Sequence, residues 1–358
     1  MHPNQRPAPK PHRQQRGIAI LSVLVIAVLV VTLAAAVFVR QSRAVRQTDN
    51  FQSLERAWQY VLMMEQYAGL QLQLDAKDNK YDALTDRWAQ QLPTQTLNED
   101  SGAVVKFTGK LEDLQARFNL NNLINQEGEQ NGAAFEQLKT FVKDAGLPPG
   151  FADAIADWLD SNTQPQGLEG AERDYYMSGE IAYLAADMPF ADTSEVRLLR
   201  LEMQDPDAKN KALNRFLSTV TALPFTHPPV SPNKQTTINP NTASKAVLRA
   251  MRLSDSQIAS ILDKRKLQQA YKSKADFVQE MAFTPGKDDV LLNSFDVTSQ
   301  YFRLTGEVQI SRARVFINSL LLRDAKGSVR VIMRQFDRVN EQPMPTTDDA
   351  SNTLTNTE

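Results

Sequence analysis

Six carboxylates crowd residues 153–174: Asp153, Asp157, Asp160, Glu169, Glu172 and Asp174. The first three recur at helical spacing, which sets them near one face. The loop "SNTQPQGLEGAER" (161–173) could bring Glu169 and Glu172 back towards them. A hard cation such as calcium takes about six to eight oxygens, often from carboxylates and carbonyls that a loop gathers. A solvated acidic face has the same composition, so the spacing alone leaves both readings open. An EF-hand is excluded: in "DSNTQPQGLEGA" (160–171), Pro165 stands where that motif needs glycine and Ala171 where it needs its last carboxylate. Little else among the 358 residues offers reactive groups. Cysteine is absent, which removes disulfides, thiol nucleophiles and thiolate zinc sites. The histidines are His2, His12 and His227, two in the N-terminal leader and one in a proline-rich stretch, so a histidine dyad or zinc centre has no setting. No nucleophile–base pair can be assembled, and the expectation is a protein that is not an enzyme.

The elements that carry these groups begin with a membrane segment. Ile18–Val39 is a run of 22 uncharged residues in which only Ser22 and Thr32 are polar. About 20 apolar residues cross a bilayer core as a helix. The leader holds Arg6, Lys10, Arg13 and Arg16 and no acid, so the positive-inside rule keeps the N-terminus cytoplasmic and exports the bulk. A cleaved signal peptide is the rival reading, with "LAAAV" (33–37) as its small-residue site. The run is longer than such apolar regions, which span about 7–15 residues. No proline or glycine follows until Gly69, while Val45, Phe51, Leu54, Trp58, Val61, Leu62 and Leu72 keep to one broad face. One helix from about Ile18 to Leu74 is expected, roughly 85 Å long.

Beyond it, Gln71–Asn98 is polar and mixed, with Trp88 as a core anchor. Residues 102–123 read as one or two strands around Gly109, then a turn. Three more strands are expected at 301–311, 313–323 and 328–336, with "DAKG" (324–327) turning a hairpin. Between the two β regions, helical periodicity recurs at 133–146, 150–162, 194–204 and 211–223. In 236–266, Asn241 or Thr242 would cap a helix running through Met251. An insert of this length is a domain rather than a loop. From Glu341 onward the chain is polar and expected to be disordered.

The Arg16–Gly17–Ile18 junction resembles the processing site of type IV prepilins and type II secretion pseudopilins. The resemblance implies that prepilin peptidase cuts after Gly17 and methylates the new N-terminus, Ile18. Most of that family carries glutamate at the fifth mature position, where this chain has Ser22. A carboxylate among packed apolar helices is costly unless paired, and the family's pairs with the N-terminal amine of a neighbouring subunit. A subunit without it cannot pair with one ahead, but can offer its own amine to the one behind, which suits the first place in a fibre.

With "RFNLNNL" (117–123), "ADAIADWLDSN" (152–162), "GAERDYY" (170–176), "INPNTASKAVLRAM" (238–251) and "QYFRLTGEV" (300–308) in order, the whole chain resembles the K-component family of the type II secretion pseudopilus. The implied fold is α+β: a type IV pilin-like long helix and antiparallel sheet, with a large inserted all-α domain containing a helix-hairpin-helix-like module. Its divisions would be a leader (1–17), a transmembrane helix (18–39), helix continuation and first strands (40–118), the insert (119–299), C-terminal strands (300–338) and a tail (339–358). The implied role is at the pseudopilus tip, reached from the inner membrane, beside minor pseudopilins I and J and the other pseudopilins, initiating assembly. Phe51, Leu54, Trp58 and Val61 would supply part of the partner-helix contact. The resemblance also favours calcium in the helical domain, with Asp157, Asp160, Glu169, Glu172 and Asp174 as candidate ligands. The alternative is a membrane-anchored DNA receptor, because "INPNTASKAVLRAM" is similar to DNA-binding helix-hairpin-helix modules. Its hairpin position, "RLSDSQ" (252–257), lacks the glycines that grip phosphate, and residues 239–280 hold only eight Lys/Arg against four Asp/Glu. No nucleic-acid partner is therefore expected.

Overall fold

A computed structural model describes residues 16–90, 92–99, 102, 104–125, 128–167, 169–179, 181–224, 235–310 and 313–336. The expected disordered tail from Glu341 lies outside them. The first described element is one helix, α1 (Arg16–Asp78), and a 3-10 turn carries the buried Trp88. Strands β1 (Leu92–Asn98), β2 (Val104–Asp113) and β3 (Phe118–Asn119) follow. Then come α2 (Gly132–Ala145), α3 (Phe151–Leu159), α4 (Arg173–Met177) and α5 (Pro206–Leu217). After a short β4 (Val220–Thr221) lie α6 (Lys245–Ala250), α7 (Asp255–Lys266), α8 (Lys274–Met281) and α9 (Asp289–Ser294). The last described elements are β5 (Tyr301–Ile310), β6 (Ala313–Arg323) and β7 (Val329–Gln335).

Five strands form one antiparallel sheet in the order β1-β2-β5-β6-β7. Strands β2 and β5 pair along their length, from Val105 opposite Ile310 to Asp113 opposite Phe302. The helical block is thus inserted between two directly hydrogen-bonded strands. The β6–β7 hairpin closes at Asp324–Ser328, where Gly327 takes φ +83°.

The second half of α1 packs on this sheet through Ala57, Val61, Met64, Ala68 and Leu72, a 3.6-residue periodicity that selects one face. Their partners are Val105, Val308, Ile310, Val315 and Ile317 at one end, and Trp88, Phe302, Leu304 and Leu321 at the other. Burying side chains of this size contributes about 1.5–3 kcal/mol each. Gly109 and Gly306 face each other across β2 and β5, directly under Met64. A Cβ on Gly109 would stand 2.9 Å from Met64 Sδ, and one on Gly306 would overlap Met64 Cε. The paired glycines therefore let the helix approach the sheet.

Three expectations need correction. Residues 92–98 form a strand where only a mixed polar segment was anticipated. Within 194–204 only a 3-10 turn forms, Thr193–Leu198, capped by Asp192 and Glu195. Helix α6 starts at Lys245 with Ser244 as its cap, because Asn241 and Thr242 are committed elsewhere. Asn241 bonds both backbone polar groups of Tyr271 and the Asp82 carbonyl, and Thr242 donates to Asp113.

Candidate metal centre and helix interfaces

Asp157 lies on α3, fully buried. Its carboxylate accepts from the backbone N–H of Gln166 (3.0 Å) and Ala171 (2.7 Å), so it ties the loop back onto the helix. Asp160, the C-terminal cap of α3, accepts from the backbone and side-chain amides of Asn162 at 3.1 and 2.8 Å. Glu172, just before α4, is 5 % exposed, and its Oε1 is enclosed without a hydrogen-bond donor. Burial is the main cause that pushes Glu172 up to about 7, reinforced by Asp157, Asp160 and Asp187. Burial likewise pushes Asp157 up to about 6 against its two amide donors, with Asp160 and Asp153 adding repulsion. Asp160 is raised by burial and by Asp187. Acids that raise one another in this way favour either protons or a cation. The orphaned Glu172 oxygen is a ligand type suited to a hard divalent ion, although this group is not drawn together as tightly as Asp75, Asp82 and Asp86 are.

Asp187, which sequence reasoning missed, belongs to this group; it holds φ +49° in a segment with no periodicity to mark it. Glu169 does not join it. Its side chain lies where a Cβ of Gly150 would be, at the start of α3, and it adds to the burial that raises Asp153. Asp174 lies exposed on α4.

A second acidic cluster joins the sheet, the end of α1 and the helical block. Carboxylate oxygens of Asp75, Asp82 and Asp86 lie within 4.8 Å of one another. Arg323 of β6 occupies the position a cation would need. Its Nη2 donates to both Asp82 oxygens (2.6 and 2.5 Å) and to Ser299 O (2.9 Å); its Nη1 donates to Asp75 (3.1 Å) and Leu72 O (3.3 Å). Beside it Asp113 accepts from Ser299 Oγ, Thr242 Oγ1 and Asn239 Nδ2. Arg323 offsets Asp75 and Asp82, while burial still raises Asp82, Asp86 and Asp113, so the network is a structural joint with more acid than base.

On α1, Gly17 and Ile18 occupy the first turn and Ser22 is exposed. The apolar side chains from Ile20 to Val39 are open to the surroundings, and Thr32 bonds back to Val28 O and Leu29 O at 2.9 Å. Of the anticipated partner contacts, Phe51 (63 % exposed) and Leu54 are free on the surface. Trp58 is half-buried, edge-on to Phe336 at 4.2 Å between centroids. Val61 needs correction: it is fully buried under the sheet and has no surface for a neighbour. Leu62, Met63, Tyr67, Leu70 and Leu74 continue the open side of the helix instead.

The hairpin between α6 and α7 is exposed but tied to α2. Arg252 takes φ +64°, a conformation in which glycine is usual. Its guanidinium donates to Thr140 Oγ1 and Glu136 O on α2, at 3.1 and 3.3 Å. The turn that would meet phosphate in a nucleic-acid module here holds two helices together.

Comparison with known proteins agrees with this architecture. Residues 116–225 and 238–298 match two parts of the family described as type II secretion system (T2SS), protein K. The chain is 31 % identical to type II secretion system protein K of Pseudomonas aeruginosa, over 94 % of this chain and 96 % of that one. It is 32 % identical to protein K of Klebsiella pneumoniae, over 91 % and 97 %. The fold matches a chain in the crystal structure of the GspK-GspI-GspJ complex from enterotoxigenic Escherichia coli. The TM-score is 0.65 at 21 % identity, covering 82 % of this chain and 100 % of that one. The chain belongs to the type II secretion system protein K family and is a minor pseudopilin of that secretion machine.

Proposed function

We propose that this minor pseudopilin acts without catalysis, at the tip of the periplasmic pseudopilus, where with minor pseudopilins I and J it initiates assembly for export of folded proteins. The observation that carries this reading is Ser22, an uncharged residue at the fifth position after Gly17, in the exposed and mainly apolar first part of α1. A subunit lacking the carboxylate has no group for the amine of one ahead, and can only be followed. The crystallised assembly of GspK with GspI and GspJ from Escherichia coli supports the choice of partners. The insert between β2 and β5 supports a terminal position, since its bulk would crowd a neighbour stacked on it.

Before assembly the chain is a single-pass inner-membrane protein with its N-terminus cytoplasmic, matured by prepilin peptidase between Gly17 and Ile18. Calcium held by Asp157, Asp160 and Glu172, with Asp187 alongside, fits the unpartnered Glu172 oxygen and would pin the loop to α3. Co-expression with candidate I and J subunits tests the proposal. A stable ternary complex, with a mature chain whose mass begins at Ile18, is expected. Failure to associate, or a start near Val37, would overturn it, the latter pointing to signal peptidase.

A further inference from the structure

The apolar run of α1 ends at Val39, and Arg40, Arg43 and Arg46 follow on the same continuous helix, all exposed. No acid precedes Asp49. Among the described residues none of the three arginines has a salt bridge or a hydrogen-bond acceptor for its side chain, whereas Arg56, about two turns beyond Asp49, is paired with Glu99 at 2.5 Å. Three-residue steps turn each successive arginine back by about 60°, so the three share an arc of about 120°. At 1.5 Å per residue they lie roughly 1.5, 6 and 10.5 Å beyond Val39 along the axis. The headgroup layer on each side of a bilayer is about 5–7 Å thick. Arg40 and Arg43 fall within it, and Arg46 reaches back with a long flexible stem.

This charge opposes the orientation rule. Three arginines follow the membrane run against four basic residues before it, on the side that should be the less basic. Cleavage after Gly17 would remove all four of those. The basic side chains flanking the mature segment would then all lie on its outer side. Uncompensated guanidinium groups at headgroup depth are matched by phosphate, which takes bidentate hydrogen bonds from arginine. We infer that Arg40, Arg43 and Arg46 form a clamp for anionic phospholipid headgroups of the outward-facing leaflet, which sets the height of the subunit in the membrane before it joins the fibre. The assignment rests on the reading of α1 as an anchor with its C-terminal side outward.

The test uses the full chain in nanodiscs containing spin-labelled phosphatidylglycerol or phosphatidylcholine. The background carries R6Q/K10Q/R13Q/R16Q, so that leader charges do not contribute. A preference for phosphatidylglycerol is expected, up to about fivefold per engaged arginine and shrinking at high salt. R40Q/R43Q/R46Q should bring it close to one, while R40K/R43K/R46K should keep most of it. Equal preference in the glutamine variant and its parent would overturn the clamp while leaving the anchor intact. A parent that immobilises neither lipid would overturn the anchor, and the clamp with it.

Discussion

Glu172 and Asp86 are both buried acids displaced upward, but they answer to different neighbours. Glu172 is raised by burial first and then by Asp157, Asp160 and Asp187, a set that positive charge would offset. If calcium supplies that charge, it stabilises the native state by RT ln(1 + [L]/Kd), about 2.7 kcal/mol at a hundredfold excess over Kd. Thermal melting of the parent should rise with millimolar-range calcium, and Glu172→Gln should lose most of that rise. The metal-free melting temperature of the variant should hold or increase, because an uncompensated charge has gone. Identical parent curves in EDTA and in calcium would remove the metal from the account. Asp86 is pushed up to about 6, chiefly by burial and then by Asp75, while the Ala83 N–H bonded to it at 2.7 Å pulls the other way. A carboxyl that binds its proton more tightly folded than unfolded favours the native state at low pH. That contribution fades as pH rises from about 4 through about 6. Asp86→Asn keeps an acceptor for Ala83 and cannot ionise. It should flatten the decline in stability between pH 5 and 7 by on the order of 1–2 kcal/mol, read by urea unfolding at several pH values.

Helix α1 does two jobs with one geometry. Its apolar residues up to Val39 face outward all round, and its second half buries only one stripe. The joint at its far end depends on β6 delivering Arg323 to Asp75 and Asp82. Removing one member of a buried, hydrogen-bonded charge group costs about 3–5 kcal/mol, because the remaining charges stay enclosed. Arg323→Leu should therefore destabilise the protein by that amount in chemical denaturation. Adding Asp82→Asn should recover part of the loss, since the two residues share one interaction. Strict additivity of the two changes would show that the joint is not a unit. The joint ties α1, the sheet and the helical block to one another through Asp82, Asp113, Asn239 and Ser299.

In the proposed tip placement, the insertion of the helical block between β2 and β5 and the absence of charge at Ser22 would act together. Ser22→Glu would put a carboxylate in the apolar segment with no amine ahead to meet it, at a cost of about 2.5–3.5 kcal/mol on insertion scales. A secretion assay in a strain lacking the native gene, with variants at equal expression, should find Ser22→Glu impaired and Ser22→Val active. The opposite ranking would mean that the hydroxyl has its own role and that the missing charge does not define the tip.

The apolar run, the uninterrupted α1, the strands β5 to β7 and the helices α2, α3 and α5 were legible along the chain. Each is set by local rules: apolar period, absence of proline, caps and turn residues acting within a few positions. Gly109 and Gly306 could not be matched from sequence, because their purpose is Met64 passing above two strands far apart in the chain. Val61 and Leu62 read alike in sequence, yet one is buried and the other exposed; the sheet lies on only one side of the helix, and a broad apolar face does not say which side. Asn241 and Thr242 have good capping chemistry but bond to Tyr271, Asp82 and Asp113, distant groups that outcompete the local helix start. The acidic pocket divides in the same way. Asp157 and Asp160 follow from helical spacing, whereas Asp187 enters and Glu169 leaves only through the path of the loops. Loop paths are decided by which buried polar groups must be satisfied, and that is a property of the packed chain rather than of any short stretch of it.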